Sequence, residues 1–238
     1  MSSIATPISD AEVDALAAGL QHASAVDILR EATDRFPGRV VLTCSWQRTS
    51  SVLVHLIAEN ALDVRIVEVD TGLLFPESHD VRERLIARYG IEVETLRPRR
   101  SVEEQAADVG SELWLRDPDA CCGLRKVEPL ERALEGADAW ISGLRRSSGG
   151  TRAALQPISL DTARGVVKVA PLWQWSSEDV EQFCLQHDVP VNDLHAQGYP
   201  SIGCAPCTRP VAPGEDERAG RWAWTGKTEC GLHRPTAA

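Results

Sequence analysis

Apolar and polar positions follow two alternating periods along the chain. Apolar residues recur every three to four positions over residues 11–20 and 24–36, which predicts two helices, the second opened by Ser24. Short β-branched runs then take turns with helical stretches. Residues 39–43 read as a strand, 50–60 as a helix, 64–69 as a strand and, after Pro76, 77–89 as a helix. A strand over 91–96 and a helix over 101–109 follow, then a helix over 124–134 whose Pro129 sits in its first turns or kinks it. Residues 139–142 and 166–170 read as strands, and 176–187 as a helix with a Ser start and an acidic first turn. Strand–helix repetition at this spacing predicts parallel βαβ units, an α/β class in which helices cover both faces of a mostly parallel sheet.

From about Asn192 the periodicity stops. Six glycines between Gly198 and Gly231 and four prolines between Pro200 and Pro213 predict an irregular, partly mobile tail laid over the domain. Trp222 and Trp224 indicate that part of it docks. The expected organisation is N-terminal helices over 1–36, an α/β unit over 37–191, and a C-terminal segment over 192–238. No fixed-period repeat interrupts this reading.

Composition narrows the class of function. The chain has 238 residues, 43% hydrophobic and 25% charged, enough apolar side chains for one or two full cores. A net charge of -10 argues against coating a polyanion or an anionic membrane surface. No apolar run approaches the roughly 20 residues of a membrane span. The opening Met1–Pro7 carries neither a basic nor an apolar targeting region, so a cytoplasmic location is expected.

Ligands of an open parallel sheet bind beyond the carboxyl ends of its strands, where strand order switches. Those ends carry Ser45 and Gln47, then Asp70-Thr71-Gly72, then Arg97, Arg99 and Arg100, then a loop with Arg145, Arg146 and Arg152. Only three of the 25 basic residues are lysine, so a single arginine says little. Several on one rim suit a multiply charged anion, because the guanidinium fork matches phosphate or sulfate oxygens. Asp70 reads either as an acid that orients a ribose hydroxyl or a metal, or as a plain turn former. The first loop lacks the Gly-x-x-x-x-Gly-Lys pattern and the Ser-Gly-Gly-x-Asp-Ser loop of ATP pyrophosphatases, which weakens an ATP-activating role.

Seven cysteines without an export signal point to metal or thiol chemistry rather than to disulfides. Cys44 and Cys184 lie in apolar runs and read as inert core thiols. Cys121-Cys122 and Cys204-Ala205-Pro206-Cys207 are pairs that can supply four thiolates, suited to a structural zinc or an iron–sulfur cluster. A Cys-x-x-Cys redox pair is the lesser option in the absence of a thioredoxin-like context. Cys230 stands alone in the tail.

The runs Cys121-Cys122-Gly123-Leu124-Arg125-Lys126, Gly203-Cys204-Ala205-Pro206-Cys207-Thr208 and Lys227-Thr228-Glu229-Cys230-Gly231-Leu232-His233 strongly resemble the assimilatory adenylyl-sulfate (APS) reductase family. Val69-Asp70-Thr71-Gly72, Gly143-Leu144-Arg145-Arg146 and Glu217-Arg218-Ala219-Gly220-Arg221-Trp222 match in the same order, so the resemblance spans about residues 39–233. It implies a Rossmann-like, adenine nucleotide alpha-hydrolase-like fold. It also implies one [4Fe-4S] cluster on Cys121, Cys122, Cys204 and Cys207, and thioredoxin or a similar dithiol protein as reductant.

Cys230 is the implied nucleophile, leaving AMP and an enzyme S-sulfocysteine. The substrate side falls to Ser45, Gln47, Asp70, Thr71, Gly72, Arg125, Lys126, Arg145, Arg146, Arg218, Arg221 and His233, with Lys126 between cluster and sulfate. A free thiol ionises near pH 8.5, and Lys227, His233 and Arg234 lie close in sequence to help. Relatives that act on the 3′-phosphorylated nucleotide, PAPS, usually lack the two pairs, so keeping both favours APS. A zinc-stabilised nucleotide-binding protein is the rival of a different class, and a homo-oligomer is compatible with the sequence. In one departure, the loop Cys44-Ser45-Trp46-Gln47-Arg48-Thr49-Ser50-Ser51 lacks the glycine that many members carry there.

Overall fold

A computed structural model describes residues 8–149 and 152–233. Arg234 and the loop positions Gly150 and Thr151 lie outside the described residues. Six strands form one sheet in the order β3-β2-β1-β4-β6-β5. They are β1 (Val40–Cys44), β2 (Arg65–Val69), β3 (Glu94–Leu96), β4 (Ala139–Ile141), β5 (Ile158–Asp161) and β6 (Val166–Val169). All pairings are parallel except β5 with β6, a hairpin in which Ile158 faces Val169 and Asp161 faces Val166. The α/β expectation holds, with three adjustments. β5 went unrecognised because its alternation lasts only four residues, and β3 is half the length expected. A short hairpin also stands where a crossover helix would.

Alternation along the strands gives the sheet two cores. Val40 and Leu42 of β1 join one with Ile66, Ile141 and Val169, while Val41 joins the other with Val67, Trp140 and Val166. The first core is covered by α1 (Asp10–Gly19), α2 (Ala25–Arg35), α3 (Arg48–Glu59), α4 (Pro76–Tyr89) and α9 (Ser177–Gln186). Ser9, Ser24 and Ser176 cap α1, α2 and α9 by accepting from backbone amides of the first turn. Every residue of α3 from Ser50 to Ile57 is buried, which makes it the central helix of that face. The second core packs Leu130 and Ala133 of α8 (Glu128–Ala133) and its C-cap Leu134, together with Leu232 of the tail.

Between β3 and β4 run α5 (Val102–Val109), α6 (Leu113–Arg116) and α7 (Pro118–Cys122). From α7 the chain passes through a widened π-helical turn, Gly123–Val127, into α8. The Glu128 amide there bonds back to the Gly123 carbonyl. Pro129 has no amide to give to the Arg125 carbonyl, and the wide turn absorbs that missing bond. The expected helix over 124–134 therefore starts earlier, at Pro118, and changes pitch just after the first cysteine pair. Past Asn192 the chain is irregular, with 3₁₀ turns at Asp193–Gln197 and Ala205–Cys207. Trp222 is 1% exposed and docks, whereas Trp224 is 43% exposed and does not.

Candidate active site

Chain order runs from β1 outward to β3, then returns to β4 on the other side of β1, so the strand order switches between β1 and β4. A cavity of about 180 Å3 opens at that point. Thr43, Cys44 and Ser45 line it from the end of β1, and Ser142, Gly143 and Leu144 from the end of β4. Gly143 is needed there, because a Cβ would stand 2.5 Å from Thr49 Oγ1.

The first loop is set by a buried network. Trp46 takes a left-handed backbone, φ 55°, which is costly for a bulky residue. Its indole Nε1 donates to Glu68 Oε2 at 2.6 Å. Glu68 is 0% exposed and also accepts from Thr95 Oγ1 at 2.7 Å and from Arg82. Held this way, the loop turns Ser45 toward the cavity, its amide donating to Ser50 Oγ at 3.1 Å. Gln47 Nε2 donates to Ser45 Oγ at 3.2 Å, and Gln47 Oε1 accepts from the Ile202 amide at 2.9 Å. Gln47 thus ties the nucleotide-side loop to the loop that carries the second cysteine pair.

Among the described residues, four cations line the cavity: Lys126, Arg152, Arg218 and Arg221. Arg221 is buried, which lowers its pKa; it donates to Ile202 O at 3.2 Å and stacks 4.5 Å from the Trp222 ring centroid. Gly203 leaves the room for that guanidinium, since a Cβ there would collide with it. Burial works against the Lys126 ammonium, but the thiols of Cys204, Cys230 and Cys122 outweigh it and raise its pKa. Arg152 was named only as one of the rim arginines. Its pKa is lowered, by burial first, and it donates to Ser148 Oγ at 2.7 Å and Glu229 Oε1 at 2.8 Å.

The tail closes the cavity with Glu229, Cys230, Leu232 and His233. His233 stacks on Trp140, ring centroids 4.9 Å apart and 11° from parallel. Burial, with Lys168 and Arg152 nearby, pushes its pKa well below the ordinary value, so it is a neutral ring rather than a cation beside Cys230. Lys227 pairs with Asp119 and lies over Trp222, 5.5 Å from the ring centroid.

Other residues singled out in the sequence lie elsewhere. Asp70 accepts from the Gly72 amide at 2.9 Å and from Arg97 at 3.1 Å, and neither Asp70 nor Gly72 lines the cavity. Thr71 does line it, with its hydroxyl 3.3 Å from Cys204 Sγ. Arg125 is 2% exposed and turns inward, donating to Thr71 O at 2.6 Å and Gln105 Oε1 at 3.1 Å. Arg145 lines a smaller neighbouring cavity and donates to Ser147 Oγ at 3.0 Å and Ser177 Oγ at 3.2 Å. Arg146 stacks on Trp173 at 4.1 Å and donates to Leu155 O. Arg99 and Arg100 pair with Glu128 and Asp108.

Behind Lys126 lies a second, small pocket. Cys121, Cys122, Cys204 and Cys207 line it with Leu73, Trp114, Arg125 and Trp222. All four cysteines are buried and free of disulfides. Burial first, and then the neighbouring thiols, push Cys121 up to about 11 and Cys207 up to about 12; burial also raises Cys122. Four unbridged thiols facing one enclosed space, with two cationic side chains beside them, are a donor set that fits an iron–sulfur cluster. Cys230 packs against this group from the cavity side. Cys44 and Cys184 are buried, and burial raises the pKa of both.

Comparison with known proteins agrees with this arrangement. The profile of the family "Phosphoadenosine phosphosulfate reductase domain" matches residues 39–210. An adenosine 5′-phosphosulfate reductase of Streptomyces coelicolor is 47% identical over 214 residues, 90% of each chain. Adenosine 5′-phosphosulfate reductase 2 of Bacillus subtilis is 43% identical, over 88% of this chain and 89% of that one. Among solved structures, the phosphoadenylyl-sulfate (PAPS) reductase of Candida auris, a phosphate complex, superposes with a TM-score of 0.78 at 31% identity, covering 87% of this chain and 100% of that one. The FMN adenylyltransferase of Candida glabrata, 15% identical with a TM-score of 0.56 over 98% of this chain and 80% of that one, shares the fold alone. Fold, switch-point cavity and sequence similarity converge, and the chain belongs to the phosphoadenosine phosphosulfate reductase family.

Proposed function

We propose that the chain reduces adenosine 5′-phosphosulfate to sulfite and AMP in the assimilation of sulfate, with thioredoxin or a similar dithiol protein as reductant. One observation carries the reading: Cys230 shares a cavity with four cations at the switch point, with four more thiols packed directly behind it. The names of the relatives at 43–47% identity support APS as the nucleotide, and so does the retention of both cysteine pairs.

In this reading the Cys230 thiolate attacks the sulfate sulfur, the S–O bond to AMP breaks, and Cys230 carries an S-sulfonate. A dithiol thiolate then attacks Cys230 Sγ and expels sulfite with its electron pair. The resulting mixed disulfide is resolved by the second thiol, so two electrons come from the dithiol. An anionic nucleophile meeting an anionic sulfate is the electrostatic difficulty. Lys126, Arg152, Arg218 and Arg221 offset it, which in an enclosed site is worth several kcal/mol. Ser45 and Gln47 supply polar contacts at the phosphate side, and the Trp140–His233 stack seats the tail.

Cys121, Cys122, Cys204 and Cys207 would hold a [4Fe-4S] cluster. Four cysteines and no histidine around one pocket match the all-thiolate ligation of a [4Fe-4S] cluster, the reading that the resemblance of both pairs to the family supports. The cluster would add fixed charge and rigidity behind Lys126. Among the described residues no helix is long and apolar enough to cross a membrane, and the cytoplasm is the proposed location.

The test is sulfite release from APS and PAPS measured side by side with reduced thioredoxin, on protein assayed for iron and sulfide. Turnover of APS with little on PAPS is expected. Preference for PAPS overturns the substrate assignment, and colourless, iron-free protein with full activity overturns the cluster.

A further inference from the structure

We propose that Glu229 is the site's own counter-ion: its carboxylate holds, between Arg152 and Arg218, the place that the anionic phosphosulfate takes, so that anion entry and release of the tail are one equilibrium. The inference rests on the reading of the cavity as a phosphosulfate site and concerns how that site is occupied before substrate arrives.

The charges lining the cavity are unbalanced. Lys126, Arg152, Arg218 and Arg221 face Glu229, the one carboxylate among the described lining residues. Glu229 Oε1 accepts from Arg152 Nη2 at 2.8 Å, and Glu229 Oε2 lies 3.4 Å from Arg218 Nη2. The three side chains are 26%, 14% and 22% exposed, so the pairs sit in a partly desolvated setting where they weigh more than on an open surface. Arg221 is engaged differently, by the Ile202 carbonyl and the Trp222 ring, and is not held by a carboxylate. The two guanidiniums that share a carboxylate in the closed site are therefore Arg152 and Arg218, with one positive charge left over between them.

A sulfate or phosphate presents more acceptor oxygens than a carboxylate and matches two guanidinium forks at once. It competes with Glu229 for the same donors. Because Glu229 precedes Cys230, its displacement frees the stretch that carries the thiol, while the Thr228 carbonyl just before it still accepts from Arg218 Nη2 at 2.7 Å. The tail keeps flanking attachments, Lys227 to Asp119 and over Trp222 on one side and His233 on Trp140 on the other. Anion binding thus loosens the segment between those anchors while leaving Cys230 near the cavity. Linkage makes the effect reciprocal: removing the internal anion must tighten the external one.

The experiment uses the full-length, iron-loaded protein and AMP as probe. Calorimetry on Glu229→Gln and Glu229→Ala should show AMP binding about tenfold tighter than wild type, the size expected when a charge-assisted pair no longer competes. The KM for APS should fall with it. Glu217→Gln makes the same charge change at the residue before Arg218, a carboxylate that does not line the cavity and lies 4.0 Å from Arg145. It should move AMP affinity by less than about twofold, as expected for a screened charge. In wild type, hydrogen exchange at amides 228–233 should quicken when AMP binds, and in Glu229→Gln it should be fast already. Equal or weaker AMP binding by both Glu229 variants overturns the proposal, as does exchange that slows on AMP binding. An equal gain from Glu217→Gln reduces the effect to net charge and overturns it as well. If wild type binds no AMP at all, the phosphosulfate reading fails, and this inference with it.

Discussion

The molecule keeps two groups of thiols on either side of Lys126, and they share little beyond the element. Cys121, Cys122, Cys204 and Cys207 stand on or at the start of short helical turns and are buried, and burial favours the protonated forms of Cys121, Cys122 and Cys207. Cys230 stands on an irregular segment, only partly buried, among cations and beside a carboxylate. Thiols of the first kind are held still and ionise only when a metal takes the proton's place. A thiol of the second kind can be presented and withdrawn. On the proposed function, environment rather than residue type separates a ligand from a nucleophile.

The sharpest way to break that comparison is Cys230→Ser. Sulfite release should be abolished while the iron content and AMP binding persist; substantial turnover would remove the nucleophile from the account. Next is Cys204→Ser, which should lose iron, visible absorbance and most activity. A variant that keeps its colour would show that this thiol belongs with neither group.

The positioning of the cavity itself is tested by Trp46→Phe, which keeps the ring and removes the donor to Glu68. Leaving a buried carboxylate short of a partner costs about 2 kcal/mol, or roughly 5 °C in Tm. The loosened Ser45–Gln47 loop should raise KM about fivefold, with kcat within about twofold, as expected for lost ground-state binding. A fall in Tm with unchanged KM would make the network purely structural.

The smallest effect concerns His195, whose pKa burial first and Arg48 second lower to about 4, and which the Arg48 amide and Tyr199 carbonyl enclose. The folded protein keeps it neutral where the unfolded chain, with an ordinary value near 6.5, already binds a proton. Its contribution is therefore complete above pH 6.5 and is lost as pH falls from 6.5 towards 4. Tm measured between pH 7 and 5 should decline more in wild type than in His195→Gln, and parallel curves would refute the assignment.

Periodicity revealed the α/β class and all strands but β5, whose four residues pair with a neighbour across a tight turn. Strand order is not written in periodicity, so which strand ends meet at the switch point was hidden. Arg97, Arg99 and Arg100 follow β3, the sheet edge two strands from the switch point, and pair with Asp70, Glu128 and Asp108 instead of facing the cavity. Side-chain direction within a loop is equally hidden. Arg145 and Arg146 turn to Ser177 and Trp173, while Arg152, a few residues on, reaches the cavity. Glu229 was visible only as the neighbour of a conspicuous cysteine. The cysteine pairs were legible because their chemistry needs little geometry to be stated.

The widened turn at Gly123–Val127 has a consequence for how this stretch tolerates change. It sends Arg125 back to the Thr71 carbonyl and Lys126 to the boundary of both chambers, although the two are adjacent in the chain. One residue more or fewer between Cys122 and Pro129 would rotate everything downstream by about 100° and exchange which base looks into which room. Substitutions here are negotiable, but the count of residues is not.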